Sequence, residues 1–268
     1  MEFRDDHLKT FEQQGALPLP AGGIEGFVEN DGARIWYGAY GDGPPVLLLH
    51  GGYGNSGNWG YQVAAVVASG RRAVVIDSRG HGRSTRDARP YSYQLMGSDV
   101  LAVMDTLGIA KAPIVGWSDG ACIGLVLAKD RPERISGVFF LACNTDPSGT
   151  KIFVFTPTIG RCLARHKLDY AALSPTPNDM DKLFEDVGLM QRTQPNYSAA
   201  DLATITVPVA SVLGERDEFI KRRHAQYLAK SIPGAEFILL PNVSHFAPVQ
   251  RPDAFNAVML GFLDRIGA

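Results

Sequence analysis

No apolar run in this sequence approaches the ~20 residues that a membrane helix needs. Stretches such as PPVLLL (44–49) and VAAVVA (63–68) are far shorter. The first fifteen residues, MEFRDDHLKTFEQQG, are charged and lack the apolar core of a signal peptide, so a cytoplasmic location is expected. Cysteine is scarce. Cys122, Cys143 and Cys162 are odd in number and widely spaced, which suits neither a disulfide framework nor a zinc site. They are expected to be thiols in a reducing compartment. Charge of one sign is also lacking. The net charge of -2 excludes a general nucleic-acid binder, which needs clustered Lys and Arg. There is no phosphate loop and no metal-ligand cluster, so neither cofactor nor metal is expected. A small-molecule substrate and water are the expected partners. The composition, 45% hydrophobic and 20% charged, is that of an ordinary globular protein.

What is present is a rhythm of short apolar runs and longer helical patterns. Residues 24–29 and 33–40 read as two strands joined at the Asn30-Asp31-Gly32 turn. Further strands are expected at 44–50, 72–77, 112–117 and 136–142. Unbroken apolar runs such as PPVLLLH suit strands covered on both faces. Helices are expected at 59–69, 93–107 and 119–130. The rhythm breaks at 146–204, where Pro147, Pro157, Pro175, Pro177 and Pro195 fall among irregular helical pieces at 158–173 and 178–191. It resumes with strands at 207–213 and 236–241 and helices at 219–231 and 252–266. The alternation implies a mostly parallel sheet with helices on both faces. The expected organisation is a core of residues 1–145 and 205–268 with a helical cap inserted at 146–204. Residues 1–22 have no place in the scheme beyond wrapping the outside.

The strongest local signal is Gly116-Trp117-Ser118-Asp119-Gly120, between a buried strand and a helix. A turn this sharp needs very small residues two before and two after the serine, and it lifts the serine oxygen clear of the backbone. His245 and Asp217 each lie just past a predicted strand, so both emerge at the same carboxyl sheet edge as Ser118, where ligands bind in open α/β sheets. The roles that follow are nucleophile for Ser118, proton shuttle for His245 and orienting acid for Asp217. Asp146, after an earlier strand, competes as the acid. Acyl transfer also needs about two oxyanion donors. The N–H groups of Asp119 and Gly52 are assigned, with Tyr53 as the off-by-one alternative. His50 is read as a brace for its loop. Tyr53, Trp117, Asp119 and Phe246 are candidate substrate contacts. Met96, Phe139, Phe153 and Phe155 are either further pocket wall or ordinary core. Asp119 is either a helix-terminus carboxylate or an anion for a cationic substrate, neutralised near the oxyanion by Arg79 or Arg83.

These motifs resemble those of the α/β-hydrolase superfamily along nearly the whole chain. Asp77-Ser78-Arg79-Gly80-His81-Gly82-Arg83-Ser84 resembles the D-x-R-G-x-G-x-S turn of its esterase, peptidase and ring-cleavage branches, where the turn is structural. The W-S-D-G elbow is similar to that of the biphenyl-hydrolase-like and valacyclovir-hydrolase group. The resemblance implies an α/β-hydrolase fold and a serine hydrolase that cleaves a carboxylic ester, or an amide, through an acyl-enzyme. Serine at 118 sets the chain apart from the epoxide hydrolases and haloalkane dehalogenases of this fold, which use aspartate there. A carbon–carbon hydrolase of ring-cleavage products and a ligand receptor on the same fold are the alternatives.

Overall fold

A computed structural model describes residues 7–268. Eight strands form one sheet in the order β1-β2-β4-β3-β5-β6-β7-β8. They are β1 (Ile24–Asn30), β2 (Ala33–Tyr40), β3 (Pro45–Leu49), β4 (Arg72–Ile76), β5 (Ala112–Trp117), β6 (Ile135–Leu141), β7 (Val209–Gly214) and β8 (Glu236–Leu240). The first two make an antiparallel hairpin, and β2 also runs antiparallel to β4. All remaining pairs are parallel. The hairpin forms because Asp31 and Gly32 both take positive φ, 46° and 76°, as a two-residue turn of this kind requires.

The helices are α1 (Leu8–Gln14), α2 (Gly60–Ala68), α3 (Tyr93–Thr106), α4 (Asp119–Asp130), α5 (Pro157–Leu173), α6 (Met180–Thr193), α7 (Ala199–Ala203), α8 (Arg222–Ser231), α9 (Ala247–Gln250) and α10 (Pro252–Arg265). Alternate residues of β3 face opposite layers. Leu47 and Leu49 pack with the apolar faces of α3 and α4, whereas Val46 and Leu48 pack with those of α2 and α10. This period-two division gives the sheet a dry core on each face. No described helix is long and apolar enough to cross a membrane.

Several boundaries differ from the sequence reading, each for a local reason. The helix expected over 219–231 starts at Arg222, because the Phe219 and Ile220 N–H groups are taken by Asp217 Oδ1. The helix expected over 59–69 is split. A 3-10 turn at Ser56–Trp59, capped by Asn55, precedes α2. Strand β7 starts after Pro208, which has no N–H to give the ladder. Helices α1, α7 and α9 had no counterpart in the periodicity, since each is seven residues or shorter. Helix α1 buries Leu8 and Phe11 and packs on α5 and α9. The first six residues of the 1–22 segment lie outside the described residues. Between β6 and β7 the chain runs through a 3-10 turn at Pro147–Gly149, then α5, α6 and α7. Helix α5 touches α6, and α7 packs on α8.

Candidate active site

Ser118 joins β5 to α4 with φ 53° and ψ -119°, a conformation that costs a non-glycine residue about 1–3 kcal/mol. The neighbouring glycines permit it. A methyl group on Gly116 would lie 2.4 Å from the Ala121 Cα, and one on Gly120 would lie 2.0 Å from the Leu49 carbonyl oxygen. The turn is held by the Ser118 N–H donating to Leu141 O at 2.8 Å and by Ser118 O accepting from Ala121 N at 2.8 Å.

His245 follows β8, and Asp217 follows β7. His245 Nδ1 lies 2.8 Å from Asp217 Oδ2. The other carboxylate oxygen of Asp217 accepts from the N–H groups of Phe219 (2.8 Å) and Ile220 (2.7 Å), so the acid is fixed from both sides. The Lys151 ammonium reaches the Asp217 carbonyl. Burial works against a charged imidazole at His245. Asp217, Glu218 and Asp119 outweigh it and hold the group above its ordinary pKa. Asp146 is elsewhere. It caps Ser148 N at 2.8 Å and faces His224 Nδ1 at 3.7 Å.

Ser118, His245, Gly52, Tyr53, Trp117, Asp119 and Phe246 all line one mainly apolar cavity of about 750 Å³. Trp117 lies against His245, its Nε1–H donating to the His245 carbonyl at 2.9 Å. Tyr53 has φ 67°, and its hydroxyl donates to Gln191 Oε1 at 3.2 Å. Asp119 is buried. Its carboxylate accepts from the Tyr93 hydroxyl (2.8 Å) and from Gln191 Nε2 (2.9 Å). Burial raises its pKa, against the pull of those two donors. A methyl group on Gly52 would lie 2.5 Å from Asp119 Oδ2 and 2.6 Å from Gln191 Nε2, so a side chain there would disturb that hydrogen-bonded pair.

Neither arginine expected beside Asp119 is there. Arg79 is buried against Asp99, with contacts of 2.9 and 2.7 Å, and Arg83 pairs with Asp77 at 3.1 Å. Arg83 is held within the D-x-R-G-x-G-x-S turn, and Arg79 reaches out of it to Asp99 on α3. Asp77 also accepts from Ser56 N at 2.7 Å, which ties that turn to the 3-10 segment. Of the aromatic and apolar candidates, Phe153 joins Trp117 and Phe246 in the wall. Met96 and Phe139 are core, and Phe155 is exposed. His50 braces its loop: Nδ1 donates to Gly51 O at 2.7 Å and Nε2 accepts from Ser78 N at 3.0 Å.

Periodicity and motif reading missed Tyr93, Gln191, Glu218 and Phe219. Glu218 Oε2 accepts the His245 backbone N–H at 3.0 Å, and Phe219 lies edge-on to the His245 ring at 4.7 Å. Their one signal was adjacency to Asp217. Tyr93 and Gln191 carried none.

A sequence model of the alpha/beta hydrolase fold family matches residues 44–156. The rhodomycin D methylesterase DnrP of Streptomyces peucetius is 27% identical over 274 residues, spanning 83% of this chain and 92% of its own. The solved structure of Est816, described as an N-acyl homoserine lactone degrading enzyme, superposes with a TM-score of 0.71 at 31% identity, over 88% of this chain and 100% of that one. The enol-lactonase from Burkholderia xenovorans LB400 superposes with a TM-score of 0.70 at 25% identity, over 89% and 100%. The chain belongs to the α/β-hydrolase superfamily. Its class is that of a hydrolase acting on small molecules with water.

Proposed function

We propose that this hydrolase cleaves carboxylic esters, lactones included, through an acyl-enzyme on Ser118. The observation that carries the reading is the 2.8 Å pair of His245 Nδ1 with a doubly anchored Asp217, facing the same cavity as a serine in a strained elbow. In this mechanism His245 takes the Ser118 proton as the oxygen attacks the carbonyl carbon. The oxyanion is met by the N–H groups of Asp119 and Gly52. Protonated His245 then gives its proton to the leaving alcohol, and water repeats the sequence to release the acid. Asp217 holds the imidazole tautomer throughout. Residues 146–204 act as a cap, since Phe153, Ile159, Leu163, Phe184 and Gln191 of that segment supply cavity wall. Tyr53, Trp117, Asp119 and Phe246 contact substrate from the core side. The methylesterase and the enol-lactonase favour an oxygen ester over the carbon–carbon alternative.

Ser118→Ala is expected to lower ester kcat by roughly 10³-fold or more with the fold intact, because triad members act as a unit. Labelling by a fluorophosphonate probe should vanish with it. A folded Ser118→Ala protein that turns over esters as the wild type does would overturn the mechanism.

A further inference from the structure

The cavity opens along a line of aromatic rings that begins at the proposed proton shuttle. Phe219 is edge-on to His245, with centroids 4.7 Å apart and planes at 69°. Phe153 stacks over Phe219 at 6.2 Å and 26°. Phe153 is both cavity wall and 62% exposed. Its neighbours Ile152 (91%), Val154 (64%) and Phe155 (63%) are exposed as well. Four consecutive apolar residues in water at the mouth of a cavity mark a place where apolar matter binds. The segment is anchored at its base. The Lys151 N–H donates to Phe219 O at 2.7 Å, and Thr150 bridges to Ile220. The ring of Phe153 is thus held in register with the loop that carries Asp217. The cavity's linked polar groups, Tyr53, Gln191 and Asp119, form a separate cluster.

We propose that the site is built for esters with a long aliphatic chain, which runs from the scissile carbonyl over Phe219 and Phe153 and out onto the Ile152–Phe155 rim. This rests on the serine-esterase reading of the same site. It assigns Phe153 as a specificity-determining residue. Burying a methylene contributes about a three- to fourfold gain in binding, so the track should be read as a dependence on chain length.

The test uses two series of esters, one lengthened on the acyl side and one on the alcohol side, each from two to ten carbons. The series that uses the track should show kcat/KM rising at least tenfold from two to eight carbons. Phe153→Ser should reduce that eight-to-two ratio by about tenfold, and Phe153→Leu should restore most of it. Both series flat in the wild type, or a ratio unchanged in Phe153→Ser, overturns the proposal. Affinity separates its failure from failure of the esterase reading. Ser118→Ala protein should bind 2-decanone more tightly than 2-butanone by calorimetry, and lose that preference with Phe153→Ser, whether or not any ester is turned over. If Phe153→Ser instead abolishes self-association in sedimentation and leaves both preferences intact, the rim is a contact between copies of this chain and the proposal fails.

Discussion

Glu218 is the residue whose chemistry most changes the picture of the site. It sits beside Asp217, half inside the cavity wall, and accepts the His245 main-chain N–H at 3.0 Å. Burial raises its pKa, and the His245 N–H and charge pull it back down. As an anion it stabilises the imidazolium of His245, as Asp217 and Asp119 do. In the proposed mechanism the reaction begins from neutral imidazole, so activity is expected to fall as pH drops through the His245 pKa, which lies above the ordinary histidine value. Glu218→Gln keeps an oxygen for the N–H and removes the charge. The imidazole then loses its proton more readily, and the acid limb of the kcat/KM profile should move to lower pH by roughly 0.5–1 unit. A purely structural residue would lower activity without moving that limb. An unmoved limb, or one displaced upward, would show that Glu218 only positions the loop.

At the scale of elements, the legible features were those that rest on local stereochemistry. The elbow is an example. Gly116 and Gly120 flank Ser118 in sequence, and the reason glycine stands there is a contact made within that turn and with the end of β3. The hairpin at Asp31-Gly32 was legible for the same kind of reason. The Asp119 environment was not. Tyr93 opens α3 and Gln191 ends α6, and nothing local to either says that both will meet a carboxylate 26 and 72 residues away. The arginines proposed for that role were close in sequence logic and wrong in space, since Arg79 is bound to Asp99 of α3 and Arg83 to Asp77. Helix α1 was also invisible, because two buried residues, Leu8 and Phe11, make no measurable period. The elbow argument has a direct consequence. Gly120→Ala places a carbon 2.0 Å from one main-chain oxygen and 2.8 Å from another, at Leu49 and His50. Backbone cannot swing aside as a side chain can, so a loss of at least about 3 kcal/mol is expected. Gly261→Ala on α10 is the control. Its nearest neighbour would be Arg265 Nη1 at 3.6 Å, and helix propensity favours alanine by up to ~1 kcal/mol. Urea denaturation of the two proteins checks both signs, and equal stabilities would refute the steric account.

Three of the buried histidines, His50, His81 and His166, contribute to the response of the fold to acid. Burial pushes His81 and His166 down to about 3, and the rings next to each other add to the effect. Burial lowers His50 too. His81 Nε2 and His166 Nδ1 are buried without a hydrogen-bond partner among the described residues, so a proton added at either atom gains no acceptor. In the unfolded chain these rings take up protons near pH 6.5. Between pH 6.5 and about 3 the unfolded state therefore binds more protons than the folded one, and stability falls as pH falls. At pH 5 the loss is about 2 kcal/mol for each of His81 and His166. His245 acts in the other direction and in another window. Its folded pKa is raised, so its contribution is complete below about pH 6.5 and is lost as pH rises through the folded value. Taken by themselves, these histidine effects favour stability near neutrality. Replacing His166 with leucine removes one of the acid-side protons. The slope of unfolding free energy against pH between 5 and 6 should flatten by about 1.4 kcal/mol per unit at most. Denaturant titrations at pH 5, 6 and 7 on both proteins measure it. A His166→Leu protein with the wild-type slope would show that the ring accepts its proton in the folded state and that the acid sensitivity lies in other groups.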